Sequence, residues 1–145
     1  MENNEPFIIF EKRKSNLKDH SGEISLPGGK FSNKDRNLEE TALRETEEEL
    51  GLKRDNIILI GELDDMFTIT SRYIITPFVG ELKNFNNIKL KINEDEVEEA
   101  FSVPIRIFLD KSNFWERFWT IKGQKIPIYY YRYKNYIIWG ATGYI

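Results

Sequence analysis

The chain contains no cysteine. Disulfides, thiolate catalysis and thiolate metal sites are therefore excluded. A single histidine, His20, is present, so any bound metal must rely on oxygen donors, which favour magnesium, manganese or calcium. No apolar run reaches membrane-spanning length, and the opening MENNEPF lacks a basic segment followed by an apolar core. The expectation is a cytoplasmic protein. Charge of one sign is also lacking. Against 24 acidic residues stand 21 basic ones, for a net charge of −3, which gives no electrostatic case for nucleic acid or a membrane surface. No repeat, low-complexity tract or Pro/Gly/Ser linker interrupts the 145 residues, so a single domain over 1–145 is expected. The chain does have 40% hydrophobic and 14% aromatic residues, enough for a folded core.

Phe7 to Lys12 reads as a strand, Arg13 to Ser21 as a loop, and Glu23 to Leu26 as a short strand ended by the turn signal Pro27-Gly28-Gly29. The spacing predicts a helix over Leu38–Leu50, with Asn37 as its cap, Glu40 completing a capping box, and Gly51 as its stop. Strands are expected over Asn56–Met66, Tyr73–Leu82 and Val97–Val103, with Ile88–Ile92 alternating as another. One helical turn is expected within Pro104–Leu109. A hairpin about Lys122-Gly123 spans Trp119–Tyr133, and Tyr136–Trp139 is the last strand. In the run Tyr129-Tyr130-Tyr131 one side packs and the other reaches the surface; a stacking platform for a base is the functional alternative. Phe114, Trp115 and Trp119 are assigned to the core. The pattern is α+β, with one long helix and a mixed sheet.

That helix raises a question of charge. On a wheel of about 100° per residue, Ala42, Thr46, Leu50 and Leu43 form the apolar arc, with Glu40 and Glu47 out in solvent. Glu45, Glu48 and Glu49 fall side by side at the edge of the arc, at i, i+3 and i+4. A solvated acidic face would account for them. Three carboxylates at the edge of a core also need compensation, and Arg44 supplies only one positive charge. A divalent cation would supply the rest. The preceding glycines would let backbone approach it closely.

Here the chain resembles a known family. Arg44-Glu45-Thr46-Glu47-Glu48-Glu49-Leu50-Gly51-Leu52 resembles the core of the Nudix box, and Gly29 resembles the box's opening glycine. Asp35 stands for the box's first acidic residue, and the gap from there to Arg44 is one residue longer than standard. The coenzyme A diphosphatase branch is similar in this respect. The run from Arg13 through Leu17 to Gly22-Glu23-Ile24-Ser25-Leu26-Pro27-Gly28-Gly29 resembles that branch's signature. Further matches reach Ile138-Trp139-Gly140-Ala141-Thr142.

The resemblance implies a Nudix-type α/β/α sandwich with a mixed central sheet, carrying the box as a loop-helix-loop. It also implies metal-dependent hydrolysis of the diphosphate of coenzyme A or its derivatives, with ADP-ribose or other nucleoside diphosphate derivatives, and a non-catalytic nucleotide sensor, as alternatives. Glu45, Glu48 and Glu49, with the Gly28 carbonyl, would hold Mg2+ or Mn2+. Glu99, or second Glu96, would be the base if none of the box glutamates is. Arg44, braced by Asp35, would orient Glu48. Arg13, Lys12, His20 and Gly29 would meet the substrate, with a bland loop residue weighed against that role for His20. Relatives run on into a terminal helix where this chain has Gly143-Tyr144-Ile145. A substrate-site wall that is either missing or borrowed from a second copy, as in a homodimer, therefore falls within expectation.

Overall fold

The computed structural model describes residues 5–69, 71–83, 85 and 88–145; the first four residues of MENNEPF lie outside that range. The elements are β1 (Phe7–Arg13), β2 (Ile24–Ser25), α1 (Leu38–Leu50), β3 (Ile57–Glu62), β4 (Met66–Phe67), β5 (Ile74–Ile75), β6 (Phe78–Leu82), β7 (Val97–Pro104), α2 (Arg106–Leu109), β8 (Phe114–Ile121), β9 (Gln124–Tyr133), β10 (Tyr136–Trp139) and α3 (Gly140–Tyr144). The chain divides into two compact units, Met1–Leu26 with Phe101–Ile145, and Pro27–Ala100. The α+β class expected is the class observed.

The strand orders are β2-β1-β7 and β10-β9-β8, all within the first unit except the Val97–Ala100 half of β7. The core of the first unit is Phe10, Ile24, Val103 and Ile138, with Phe101, Phe108, Tyr131, Tyr133 and Tyr136 packed against them. Phe101 and Tyr136 stack at 3.9 Å. The β8–β9 turn has positive φ at both Lys122 (50°) and Gly123 (80°), the two-residue geometry whose twist matches the flanking strands.

Alternation on that hairpin divides its rings. Tyr129 and Tyr131 face Phe114 at 5.9 and 5.2 Å. Tyr130 faces the other way and stacks between Trp115 (5.4 Å, 9°) and Trp139 (6.0 Å, 8°). Trp119 follows at 5.7 Å from Trp139, and the Arg132 guanidinium lies 5.5 Å from the Trp115 ring. Trp119 is not a core residue as expected. It is 42% exposed, because it ends this ladder on the sheet face opposite Ile138.

In the second unit α1 has the expected bounds. Asn37, in extended backbone, accepts from the Glu40 N–H, and Gly51 ends the helix at φ 68° with its N–H on the Glu47 carbonyl. The second half of the capping box does not form. The Glu40 carboxylate turns instead to Arg36, accepting its backbone N–H at 2.8 Å and pairing with its guanidinium. Arg36 offers a charge that the Asn37 N–H does not, and Glu40 is half-buried as a result.

Three strand expectations change. Residues 88–92 form no strand. The backbone N–H groups of Lys91 and Asn93 go to the Leu50 and Glu49 carbonyls at 3.0 and 2.9 Å, satisfying acceptors that a helix end leaves open. The span 56–66 breaks into a 3-10 turn at Arg54–Asn56, β3 and β4. The span 73–82 breaks into β5 and β6 around Pro77, which has no N–H to give a ladder. β3 pairs antiparallel with β6 through a bulge between Leu59 and Gly61, and β4 pairs with β5. Among the described residues no helix is long and apolar enough to cross a membrane.

Candidate active site

The second unit gathers most of the predicted site. Glu45 and Glu49 lie on one stripe of α1, and the Pro27-Gly28-Gly29 turn lies against both. The Gly28 N–H donates to Glu49 Oε2 at 2.8 Å. At Gly29 a Cβ would fall 2.7 Å from Glu45 Oε2 and closer still to the rest of that carboxylate. A side chain at this position would therefore displace the Glu45 carboxylate. Glu49 is 2% exposed, Glu45 is half-buried and Glu48 is exposed.

Arg44 joins the loop to the helix. Its Nε and Nη2 donate to the two oxygens of Asp35 at 2.9 and 3.0 Å. Its Nη1 donates to Glu45 at 2.8 Å and to Glu48 at 3.0 Å, and Nη2 also reaches the Lys30 carbonyl at 3.2 Å. Arg44 therefore meets both Asp35 and Glu48, as the sequence suggested, and Glu45 in addition.

Asp35 is buried and accepts further from the Ser32 N–H and the Thr41 hydroxyl, each at 2.9 Å. The Arg44 guanidinium, helped by those two donors, holds the Asp35 carboxyl well below the usual carboxylate range despite burial. Reciprocally, Asp35 and then Glu45 push Arg44 up. Glu40, bonded to Arg36, is lowered to about 2. Ser32 and Thr41 are not marked out by the sequence pattern. The available signal is Thr41, a polar residue on the helix side that faces Asp35.

The donor set fits a hard cation, since carboxylate oxygens lie beside a glycine turn. Among the described residues, however, no three acidic or histidine side chains already converge as a metal cage; Arg44 Nη1 bonds both Glu45 and Glu48. Glu99 is half-buried on β7, while Glu96 is exposed just before it. Lys12, Arg13 and His20 belong to the first unit. There Lys12 sits opposite Ile24, the Arg13 N–H donates to the Glu23 carbonyl at 2.9 Å, and His20 Nδ1 lies 2.9 Å from Glu23 Oε2.

Residues 1–120 match the model of the NUDIX domain. The chain is 32% identical to a Nudix hydrolase NudL of Photorhabdus laumondii over 137 residues, covering 94% of this chain and 72% of that protein. It is 38% identical to "Nudix hydrolase 15, mitochondrial" of Arabidopsis thaliana, covering 93% of this chain and 48% of that one. In fold it is similar to a C. elegans Ap4A hydrolase in a binary complex, with a TM-score of 0.54 over 68% of each chain at 13% identity.

Proposed function

The chain belongs to the Nudix hydrolase family and is a pyrophosphohydrolase, and from that premise we propose that it cleaves the diphosphate of coenzyme A or a derivative. The products would be 3′,5′-ADP and 4′-phosphopantetheine or its acylated form. The observation that carries the hydrolytic site is the glycine turn held against Glu45 and Glu49, with Arg44 tied to Asp35. What favours coenzyme A is the run Arg13 to Gly29, which resembles the coenzyme A branch.

In this reading Glu45, Glu48 and Glu49, with the Gly28 carbonyl, would hold the divalent cation. When bound, Mg2+ or Mn2+ would supply charge to neutralise phosphate oxygens and make the attacking water more acidic. Glu99 takes the proton as the water oxygen bonds to phosphorus. The anhydride P–O bond breaks, and its electron pair leaves on the departing phosphate. Arg44 is a positioning residue. Its planar fork fixes Glu45 and Glu48 against a loop residue, which limits reorganisation during the reaction.

Product analysis on coenzyme A, 3′-dephospho-coenzyme A, ADP-ribose and NADH tests the substrate. Coenzyme A is expected to have the highest kcat/KM. The 3′-phosphate is a dianion whose charge-assisted contact is worth about 1.5–3 kcal/mol, or roughly ten- to a hundredfold. Arg13→Ala is expected to narrow the preference over dephospho-coenzyme A. Equal handling of the two, or faster turnover of ADP-ribose, would overturn the assignment and leave the family membership intact.

A further inference from the structure

The second unit holds a cavity of about 420 Å3 lined by Phe31, Asn37, Leu38, Glu39, Glu62 and Phe78. Ligand sites run from about 300 to 1,000 Å3, so its size suits part of a ligand. Two of its apolar walls are costly to leave in water: Phe31 is 51% exposed and Leu38 is 46% exposed. Leu38 is the first residue of α1. Glu45 and Glu49 follow it at i+7 and i+11, within about 40° on the wheel and beginning about 10 Å along the axis. Cavity and helix carboxylates therefore share one face of one helix.

The lining contains two carboxylates and no cation. Unscreened carboxylates repel phosphate, so the cavity disfavours the polyanionic nucleotide half of the substrate. Three apolar walls with acceptors at hand suit the opposite chemistry, an uncharged chain whose amide N–H groups can donate. Resting on the coenzyme A reading above, we infer that this cavity takes the neutral amide arm of the substrate's non-nucleotide half. Phe31, Leu38 and Phe78 pack against the arm, and Glu39 and Glu62 accept from its amides. The nucleotide half extends away from this cavity, and the scissile diphosphate lies towards Glu45 and Glu49.

The two product halves separate this assignment from the function on which it rests. Inhibition constants of 4′-phosphopantetheine and of 3′,5′-ADP against coenzyme A cleavage are measured for the wild type, Phe31→Ala and Leu38→Asp. An acidic residue at the first helical position suits the helix dipole, so Leu38→Asp changes the cavity without opposing the helix, and thermal melts check both variants. The expected result is a tenfold or greater rise in the 4′-phosphopantetheine constant and in KM for coenzyme A, with the 3′,5′-ADP constant unmoved. Cleavage of coenzyme A with both constants unchanged, or with both raised alike, overturns the arm assignment alone. No cleavage of coenzyme A by the wild type overturns the function reading and the arm assignment with it.

Discussion

The glutamates of α1 differ in what surrounds them, and the difference sets what each substitution does. Glu49 is buried with its carboxylate on the Gly28 N–H, and Glu48 is held by Arg44. Glu47 is exposed on the other side. Glu48→Gln and Glu49→Gln are expected to lower kcat by orders of magnitude with the fold retained, and Glu47→Gln to be nearly silent, as read by steady-state kinetics and circular dichroism. Near wild-type turnover in both of the first two would remove them from the catalytic machinery. Acid sensitivity has the same local origin. Asp35 and Glu40 ionise more readily folded than unfolded, so their stabilisation is complete above about pH 4.5 and is lost as pH falls, that of Glu40 towards 2 and that of Asp35 lower still. Denaturant midpoints should fall through that window. Combining Asp35→Asn with Glu40→Gln should flatten the fall, whereas an unchanged slope would place the acid sensitivity elsewhere.

The bounds of α1 come from its own ends. Asn37→Ala should destabilise by about 1 kcal/mol. Gly51→Ala should destabilise by about 1–3 kcal/mol, because φ is 68° and a Cβ would sit 2.7 Å from the Lys91 carbonyl. Equilibrium unfolding in urea measures both, and a neutral Gly51→Ala would mean that Lys91 yields. These ends are legible in the sequence because caps act within a few residues. Likewise the helical period alone sets Glu45, Glu48 and Glu49 side by side. Non-local bonds are not legible. Residues 88–92 alternate like a strand, yet the N–H groups of Lys91, within the run, and of Asn93, just after it, find the carbonyls at the end of a distant helix. Nothing in the spacing of Glu40 shows that Arg36 outcompetes the Asn37 N–H. Neither the contact of Gly29 with Glu45 nor the reach of Arg44 to Lys30 follows from a helical period. Trp119 looks like core by composition alone, and a partly exposed ladder of rings accounts for where it lies.

Across the whole molecule, a site built of oxygen donors predicts dependence on a hard cation. Activity is expected to vanish in excess EDTA and to return with added magnesium or manganese. Turnover that survives verified metal removal would sink the metal assignment. The family supports this direction, since Nudix hydrolases generally use divalent metal ions.

The three tryptophans of the chain, Trp115, Trp119 and Trp139, all stand in the ring ladder of β8, β9 and β10. Tryptophan fluorescence excited beyond the tyrosine band, which passes over Tyr73, therefore has no emitter in the Pro27–Ala100 unit and reports the hairpin sheet. The longest helix, α1, dominates ellipticity at the helical band and belongs to that silent unit. One titration read by both lights therefore watches the two units separately. Coincident curves would make the chain a single cooperative fold, and displaced ones would show which unit lets go first.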